Sequence, residues 1–221
     1  MLALIVLLPL VVAAFYVATL KGRDAAKAKY AAIAGSAAAL ALILTVSYGI
    51  SAVPWFSVGS NSVGIVVSVT PLSYLLLLIV LAIGLLVFIY SAGYMDKLSE
   101  QRKYYIEMLV FEASMAAFAV SGNFILMFMA WEMMSLTSYL LIGFWHQREQ
   151  ANSAARKAIT IVFIGDVAFL AAIALFWSLF GTLQFSQLLP LAASSSPRLY
   201  AAVLLLLIAV FTKSAQFPFQ E

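Results

Sequence analysis

Apolar residues run along this chain in seven long stretches, each separated from the next by a short polar or uncharged segment. Most of the stretches approach or exceed the roughly 20 helical residues that cross the apolar core of a bilayer. They are continuous rather than alternating, which favours helices over the strands of a membrane barrel. The pattern therefore predicts an all-α, polytopic membrane protein with about seven transmembrane helices. Their predicted bounds are about 2–20, 30–53, 71–94, 104–120, 123–145, 153–180 and 197–217.

Residues that cap or break helices mark several of these boundaries. Thr70 and Ser196 are each followed by a proline. Such a pair combines a capping side chain with the residue that suits the first helical position, so both are predicted N-caps. Pro54 is predicted to end the second helix. The uncharged stretch 55–69, which contains glycine, serine and asparagine, predicts a loop or a short hairpin.

Composition narrows the class of protein further. The chain is 65% hydrophobic and 10% charged, which is more apolar surface than a soluble domain of 221 residues can bury. It has no cysteine, so disulfides, thiolate-bound haem and iron–sulfur clusters are excluded within this chain. The single histidine, His146, does not suffice for a transition-metal site. We therefore expect no metal and no cofactor here, and no binding of nucleic acid.

Lysine and arginine are concentrated in alternate connections, at 21–29, 96–103 and 147–156. The positive-inside rule then places these three loops in the cytoplasm and the N-terminus outside. The first apolar stretch has no charged segment before it, so we expect a retained helix rather than a cleaved signal. With no soluble domain or linker visible, residues 1–221 are predicted to form a single transmembrane domain.

Glu132 lies near the middle of the predicted fifth helix, which is otherwise apolar or weakly polar. An unpaired carboxylate there costs about 2.5–3.5 kcal/mol or more, so it is seldom present without a role. It could be structural, hydrogen-bonded to Ser135 or to a neighbouring helix. We favour a proton or ion pathway, with a lysine of a later helix as partner. Burial favours the neutral carboxyl group and a nearby cation favours the charged one, so such a pair can exchange protons.

Lys213 is a second charge inside an apolar stretch. Pro218 cannot donate the helical hydrogen bond to the carbonyl group of Ser214, so the seventh helix is predicted to break between Lys213 and Pro218. Freed carbonyl groups beside a buried amine can hold water or a proton carrier. The alternative is that Lys213 merely extends its ammonium group from a helix end towards the interface.

Further charged residues lie in the predicted helices, and four of them bear on function. Lys157 and Asp166 are nine residues apart in the sixth helix, which places them on opposite faces, so we do not predict that they pair. On physical grounds Lys157 could be structural or functional. In the fourth helix, Glu107 lies near the cytoplasmic end and Glu112 about a turn and a half deeper, and their roles are left open.

Short motifs follow one another from the end of the third predicted helix to the end of the chain. They are Tyr90 to Met95, Trp131 with Glu132, Ser138 to Phe144, Ala154 to Ala158, Gly165 to Val167, Gly181 to Phe185 and Lys213 to Gln220. In this order they resemble the antiporter-like membrane subunits of respiratory complex I, most closely the L-type subunit, and the Mrp-type antiporters of the same superfamily. The first two predicted helices carry none of these motifs.

The resemblance implies a proton-translocating subunit of an NADH:quinone oxidoreductase-type complex, with no redox chemistry in this chain. It implies that Glu132 is the glutamate of the fifth helix, that Lys157 modulates it, and that Lys213 is the lysine of the broken seventh helix. Protons would move as these charges alternately pair and separate. Asp166 is a weaker candidate, because Phe163 stands where the family often has a basic residue, and Phe88 likewise replaces a common histidine.

By the same resemblance, quinone, iron–sulfur clusters and flavin belong to partner subunits. The partners are other membrane subunits, both antiporter-like and quinone-binding, in the cell membrane of a prokaryote. The family fold consists of two inverted five-helix repeats. We therefore expect this chain to be an incomplete first repeat, from the N-terminal half of a longer protein.

Two other functions remain open at this stage. A multi-subunit sodium/proton antiporter of the Mrp type, or a membrane-bound hydrogenase, would use subunits with the same motifs, and only the partner proteins would distinguish them. A non-transporting structural or assembly subunit could also retain the fold.

Overall fold

A computed structural model describes residues 6–20, 27–58, 61–95, 100–191 and 196–220. Within these residues the chain forms eight α-helices and two β-strands. The helices are α1 (Leu8–Thr19), α2 (Ala28–Leu42), α3 (Pro71–Tyr94), α4 (Gln101–Ala119), α5 (Phe124–Ile142), α6 (Glu149–Phe180), α7 (Phe185–Leu191) and α8 (Pro197–Lys213). The strands are β1 (Gly49–Val58) and β2 (Asn61–Val69), which pair in a two-stranded sheet.

Four helical segments among the described residues are long and apolar enough to span a membrane. They are Ala28–Thr45, Pro71–Tyr94, Phe124–Ile142 and Glu149–Phe180. On α3, bulky side chains such as Leu72, Ile83 and Leu86 remain more than half exposed. Such a surface is typical of a helix that faces lipid or a partner subunit. The protein is thus a mostly helical membrane protein, and each of the seven predicted helices has a helical counterpart.

The predicted second helix, over 30–53, is wrong in its last part. Helix α2 ends at Leu42, a 3-10 turn covers Ile43–Thr45, and β1 begins at Gly49. Gly49 has a φ of 147°, a conformation that is available to glycine and rarely to other residues. Pro54 lies inside β1 rather than ending a helix, and a two-stranded sheet tolerates it because both strands are edge strands. The hairpin predicted as one possibility for residues 55–69 is confirmed.

Other helix ends differ from the predicted ones by a few residues. Helix α4 begins at Gln101 and α6 at Glu149, each about a turn early, whereas α5 ends at Ile142, three residues early. The seventh predicted helix stops at Lys213 rather than near residue 217, and Ala215 has a φ of 50°, so the predicted break before Pro218 is confirmed. The connection between the sixth and seventh predicted helices contains the short helix α7. Residues 2–5 of the predicted first helix lie outside the described residues, as do parts of the first and third polar connections.

Both predicted N-caps are confirmed. The Oγ1 atom of Thr70 accepts a hydrogen bond from the Ser73 amide at 3.1 Å, and the Ser73 hydroxyl accepts one from the Thr70 amide at 2.7 Å. This reciprocal pair is a capping box that satisfies two amides at the start of α3. The Ser196 hydroxyl accepts from the Leu199 amide at 3.2 Å at the start of α8. These local signals fix where both helices begin.

The chain divides into two compact units. The first comprises Met1–Ser51 and Val67–Ser121, where α4 packs against α1, α2 and α3. The second comprises Ala52–Val66 and Gly122–Glu221, where α6 packs against α5 and α8. The single transmembrane domain expected over residues 1–221 stays a prediction.

Candidate site around Lys213

Asn123 determines where α5 begins, and thereby where its polar residues lie. Its side-chain oxygen accepts a hydrogen bond from the Leu126 amide at 3.0 Å, which caps the helix. Its side-chain nitrogen donates to the Gly64 carbonyl group at 2.6 Å, and only 2% of the residue is exposed. Because α5 has 3.6 residues per turn, Trp131 and Ser135 then share one face of the helix.

An aromatic layer between α5 and α6 holds the Trp131 ring. Phe169 of α6 meets Trp131 edge to face with 5.3 Å between the ring centroids. It contacts Phe124 and Phe128 in the same manner, at 6.1 and 5.4 Å. Edge-to-face pairs of this kind add to the stability gained from burial. The indole group is therefore fixed in position and orientation.

Helix α8 lies very close to α6 at Gly165. A Cβ atom at Gly165 would overlap the Thr212 hydroxyl and would lie 3.2 Å from the Cα atom of Ala209. Glycine is the residue that permits this approach, since any side chain would separate the two helices. Thr212 directly precedes Lys213, so the close contact brings the end of α8 beside α6.

The Lys213 ammonium group points towards α5 and not to the surface. It donates a hydrogen bond to Ser135 Oγ at 2.6 Å and lies 5.1 Å from the centroid of the Trp131 ring. The Ser135 hydroxyl in turn donates to the Trp131 carbonyl group at 3.0 Å. The ammonium group is thus bound by a hydroxyl and a cation–π contact, which argues against the alternative that Lys213 extends to the interface.

Asp166 joins the same group of side chains through Trp131. Trp131 Nε1 donates a hydrogen bond to Asp166 Oδ1 at 2.7 Å, and the aspartate is only 8% exposed. In the described part of the chain, no carboxylate oxygen lies within 4.0 Å of the Lys213 ammonium group. Trp131 therefore contacts both a carboxylate and an ammonium group that do not contact each other.

Glu132 completes this set of residues, which we call the Lys213 cluster: Trp131, Glu132, Ser135, Asp166 and Lys213. Its carboxylate is near enough to interact electrostatically with Asp166 and Lys213. Its Oε1 atom is buried and has no hydrogen-bond partner among the described residues. The alternative that Ser135 holds Glu132 is wrong, because the Ser135 hydroxyl binds Trp131 and Lys213 instead.

Lys157 lies on an exposed face of α6, nine residues before the buried Asp166. The two side chains therefore differ in burial, which agrees with the prediction that they lie on opposite faces of the helix. Its neighbours Ala158 and Ile159 line the pocket beside Lys213. The modulation of Glu132 by Lys157 stays a prediction.

A pocket of about 150 Å³ opens beside Lys213. It extends along α5 from Ser135 to Ile142, which is about two turns of helix. Its polar lining consists of Ser135, Ser138, Tyr139 and the Lys213 side chain, and the remainder is apolar. The volume suffices for several water molecules, and the polar groups provide hydrogen-bond partners for them. No group of three or more metal-ligating side chains occurs in the part of the chain that the structure describes.

Sequence reasoning did not assign a role to Trp131, although its contacts organise the cluster. The sequence did contain a signal for such a role. A buried indole N–H group usually has a hydrogen-bond acceptor, and Trp131 lies one helical turn before the polar Ser135. Asp166 is its acceptor, 35 residues later in the chain, and no local pattern links the two. Asp166, which was the weaker candidate by sequence, is hydrogen-bonded directly to Trp131 of the cluster.

Two family models match this chain. The model described as NADH:quinone oxidoreductase/Mrp antiporter matches residues 121–221. The model described as the N-terminus of chain 5 of NADH-ubiquinone oxidoreductase (complex I) matches residues 55–105. The first match contains the whole Lys213 cluster.

Curated relatives come from two kinds of complex. The chain is 35% identical over 167 residues to NADH-quinone oxidoreductase subunit L of Mycobacterium tuberculosis, a match covering 75% of this chain and 26% of the relative. It is equally 35% identical over 170 residues to one of the Na(+)/H(+) antiporter subunits of Alkalihalophilus pseudofirmus, covering 76% of this chain and 21% of the relative. The chain therefore spans about a quarter of the length of these relatives.

Solved structures share the fold. A chain of the Mrp complex from a Dietzia species matches 98% of this chain with a TM-score of 0.83 and 28% identity, and 24% of that chain is covered. A chain of the membrane-bound sulfane sulfur reductase, an archaeal respiratory membrane complex, matches 95% of this chain with a TM-score of 0.78, with 33% of that chain covered. At 16% identity, the second match concerns the fold alone.

Proposed function

This chain belongs to the family of antiporter-like membrane subunits found in complex I and in Mrp antiporters, and we propose that it is the proton-translocating part of such a subunit. Support comes from the Lys213 ammonium group, bound to Ser135 and Trp131 with two carboxylates within electrostatic range. A cation so placed can respond to a change in the charge of either carboxylate. Intramembrane acids and bases that face one another commonly form proton pathways.

The cluster moves a proton through a change in electrostatic balance. A proton that arrives at Glu132 forms an O–H bond there and removes one of the two negative charges that attract Lys213. Asp166 then dominates the attraction on the ammonium group, while its bond to Trp131 keeps it in place. Lys213 can release a proton to water in the adjoining pocket, through the Ser135 and Ser138 side of the lining. The O–H bond at Glu132 then breaks, its proton binds the neutral Lys213 amine, and the cluster returns to its starting charges.

We assign this subunit to an NADH:quinone oxidoreductase-type complex in the cell membrane of a prokaryote. The antiporter-like and quinone-binding membrane subunits are its partners, and a donor such as NADH is oxidised by quinone elsewhere in the complex. In this assignment the chain has about seven spans, with its N-terminus outside, and forms an incomplete first repeat. Lys157 modulates Glu132 from α6.

A second candidate is a component of an Mrp-type sodium/proton antiporter. It is favoured by the similarity to the Dietzia Mrp complex over nearly the whole chain. Spectra of the gently purified native complex distinguish a redox-driven pump, a hydrogenase and an antiporter. Iron–sulfur clusters whose signals show oxidation by quinone would support the redox-driven pump. Clusters that quinone does not oxidise would support a hydrogenase, and the absence of iron–sulfur signals would support the antiporter.

Transport by the assembled complex tests the function itself. Glu132→Gln and Lys213→Met keep approximate side-chain size while removing the charge, so the complex should assemble while proton transport falls by more than about tenfold. Glu149→Gln, at the exposed start of α6, is the matched control and should transport normally. Normal transport by both cluster variants would instead identify a structural subunit.

A further inference from the structure

Another buried acid lies in the first compact unit, among residues that the Lys213 cluster does not include. Glu112 of α4 is only 3% exposed. Ser36 of α2, which is fully buried, donates a hydrogen bond to Glu112 Oε1 at 2.8 Å. The other oxygen, Oε2, is buried with no hydrogen-bond partner among the described residues. One oxygen of the carboxyl group thus has a hydrogen-bond partner, and the other has none among the described residues.

No cation faces Glu112 in the part of the chain that the structure describes. Helices α1 and α3, which pack in the same unit, contain no charged residue. On α2, Lys29 lies seven residues before Ser36, which is about 10 Å along the helix. On α4 itself, Tyr105 lies two turns before Glu112. The cation Lys103 lies still nearer the start of the helix, where its ammonium nitrogen is 4.0 Å from an oxygen of Glu107. An isolated ionised carboxylate is far more costly to bury than a carboxylic acid, so the environment favours the protonated form.

The surroundings leave room for this carboxyl group and for access to it. A Cβ atom at Gly84 of α3 would overlap Glu112 Oε1, so glycine provides the space that the carboxyl group occupies. A pocket of about 160 Å³ adjoins it, lined by apolar side chains of α3 and α4 and by Glu112. Ile83 and Phe111 are among the lining residues.

We propose that Glu112 and Ser36 form a second proton-binding site, which the Lys213 cluster does not include. The bound proton forms an O–H bond at Oε2 and neutralises the carboxylate, while Ser36 continues to donate to Oε1. Release breaks that bond and passes the proton to a water molecule that hydrogen-bonds to Oε2. The site goes beyond the proposed function, because it stands on different residues and requires no particular transport cycle.

Infrared spectroscopy of the intact complex reports the bound proton directly. Subtracting the spectrum of Glu112→Gln from the wild-type spectrum should leave the carbonyl band of a protonated carboxylic acid. Ser36→Ala should move this band, because the carbonyl group loses a hydrogen bond. Transfer to D₂O should shift it as the proton exchanges. Glu149→Gln, the exposed control, should leave this band unchanged.

Chemical modification provides a test that needs no variant. Dicyclohexylcarbodiimide is apolar and reacts with protonated carboxyl groups, so it should modify Glu112 in membranes, as peptide mass spectrometry would detect. A water-soluble, cationic carbodiimide should modify Glu112 far less than the exposed Glu149. Loss of carboxylate bands in Glu112→Gln, a band that does not shift in D₂O, or failure of the apolar reagent to react would each overturn the proposed site.

Discussion

Among individual residues, Trp131 connects the acidic and basic members of the Lys213 cluster. Its N–H group binds Asp166, its ring faces the Lys213 ammonium group, and its carbonyl group accepts from Ser135. One side chain thereby holds a carboxylate and an ammonium group apart. Their separation leaves the position of Lys213 responsive to the charge on Glu132.

Replacing Trp131 by phenylalanine separates these contacts. The ring that faces Lys213 and Phe169 is retained, but Asp166 loses its donor. Because a buried acceptor is then left without a partner, the free energy of unfolding should fall by about 1–3 kcal/mol, and proton transport should fall with it. Thermal unfolding and transport of the purified complex measure both. Trp145→Phe, at an exposed tryptophan, should behave as wild type.

Ser135→Ala removes the acceptor of the Lys213 hydrogen bond. Hydrogen bonds to charged groups contribute about 1.5–3 kcal/mol, so we expect a loss of stability in that range and slower proton transport. Ser178→Ala is the control, because Ser178 is an exposed helical serine whose hydroxyl binds only a carbonyl group of its own helix. Equal transport by the two variants would contradict the role assigned to Ser135.

At the scale of helices, the contact between α6 and α8 decides whether the cluster can form. Gly165 permits it, with the Thr212 hydroxyl occupying the space that a side chain would need. The Lys213 side chain begins one residue later and must reach Ser135 on α5. A shift of α8 by the thickness of one methyl group would lengthen that hydrogen bond beyond its useful range.

Gly165→Ala tests this packing. The added methyl group overlaps Thr212, and overpacking of this kind costs about 1–3 kcal/mol. We expect lower stability together with reduced proton transport, measured on the same preparation. Gly93→Ala is a matched control near the end of α3, since a Cβ atom there would meet nothing within 4 Å. Its stability should match or slightly exceed that of wild type.

At the scale of the whole molecule, the chain spans about a quarter of the length of its curated relatives. The cytoplasmic placement of the basic loops sets the predicted orientation of its helices. The first part of α6, near the basic segment 147–156, forms one wall of the pocket beside Lys213. In that orientation the pocket adjoins the cytoplasmic side, with which Lys213 would exchange protons.

The absence of cysteine from the sequence makes this orientation easy to test. Gln150→Cys and Ser186→Cys each introduce one thiol at an exposed position. With intact cells, a membrane-impermeant maleimide should label the second variant and not the first, because of these two positions only Ser186, in the loop containing α7, is predicted to face outwards. Labelling in the reverse pattern would invert the topology. Permeabilised cells, in which both should react, serve as the control.

The sequence alone determined the elements whose signals are local. Capping by Thr70 and Ser196, the end of α8 before Pro218 and the apolar spans all depend on residues within a few positions of one another. The energetic cost of a charge in an apolar stretch likewise pointed to Glu132 and Lys213. The start of β1 at Gly49 was missed, because a short apolar run does not distinguish a helix end from a strand.

Only the tertiary structure decided which of these residues meet. Ser135 and Lys213 are 78 residues apart, and Ser36 and Glu112 are 76 apart. Helix packing brings each pair together through close contacts such as that of Gly165 with Thr212. Such contacts depend on shape and on the spacing between helices, which leave no periodic trace along the chain. The sequence thus identified the charges within the apolar stretches, and the packing of the helices determined their partners.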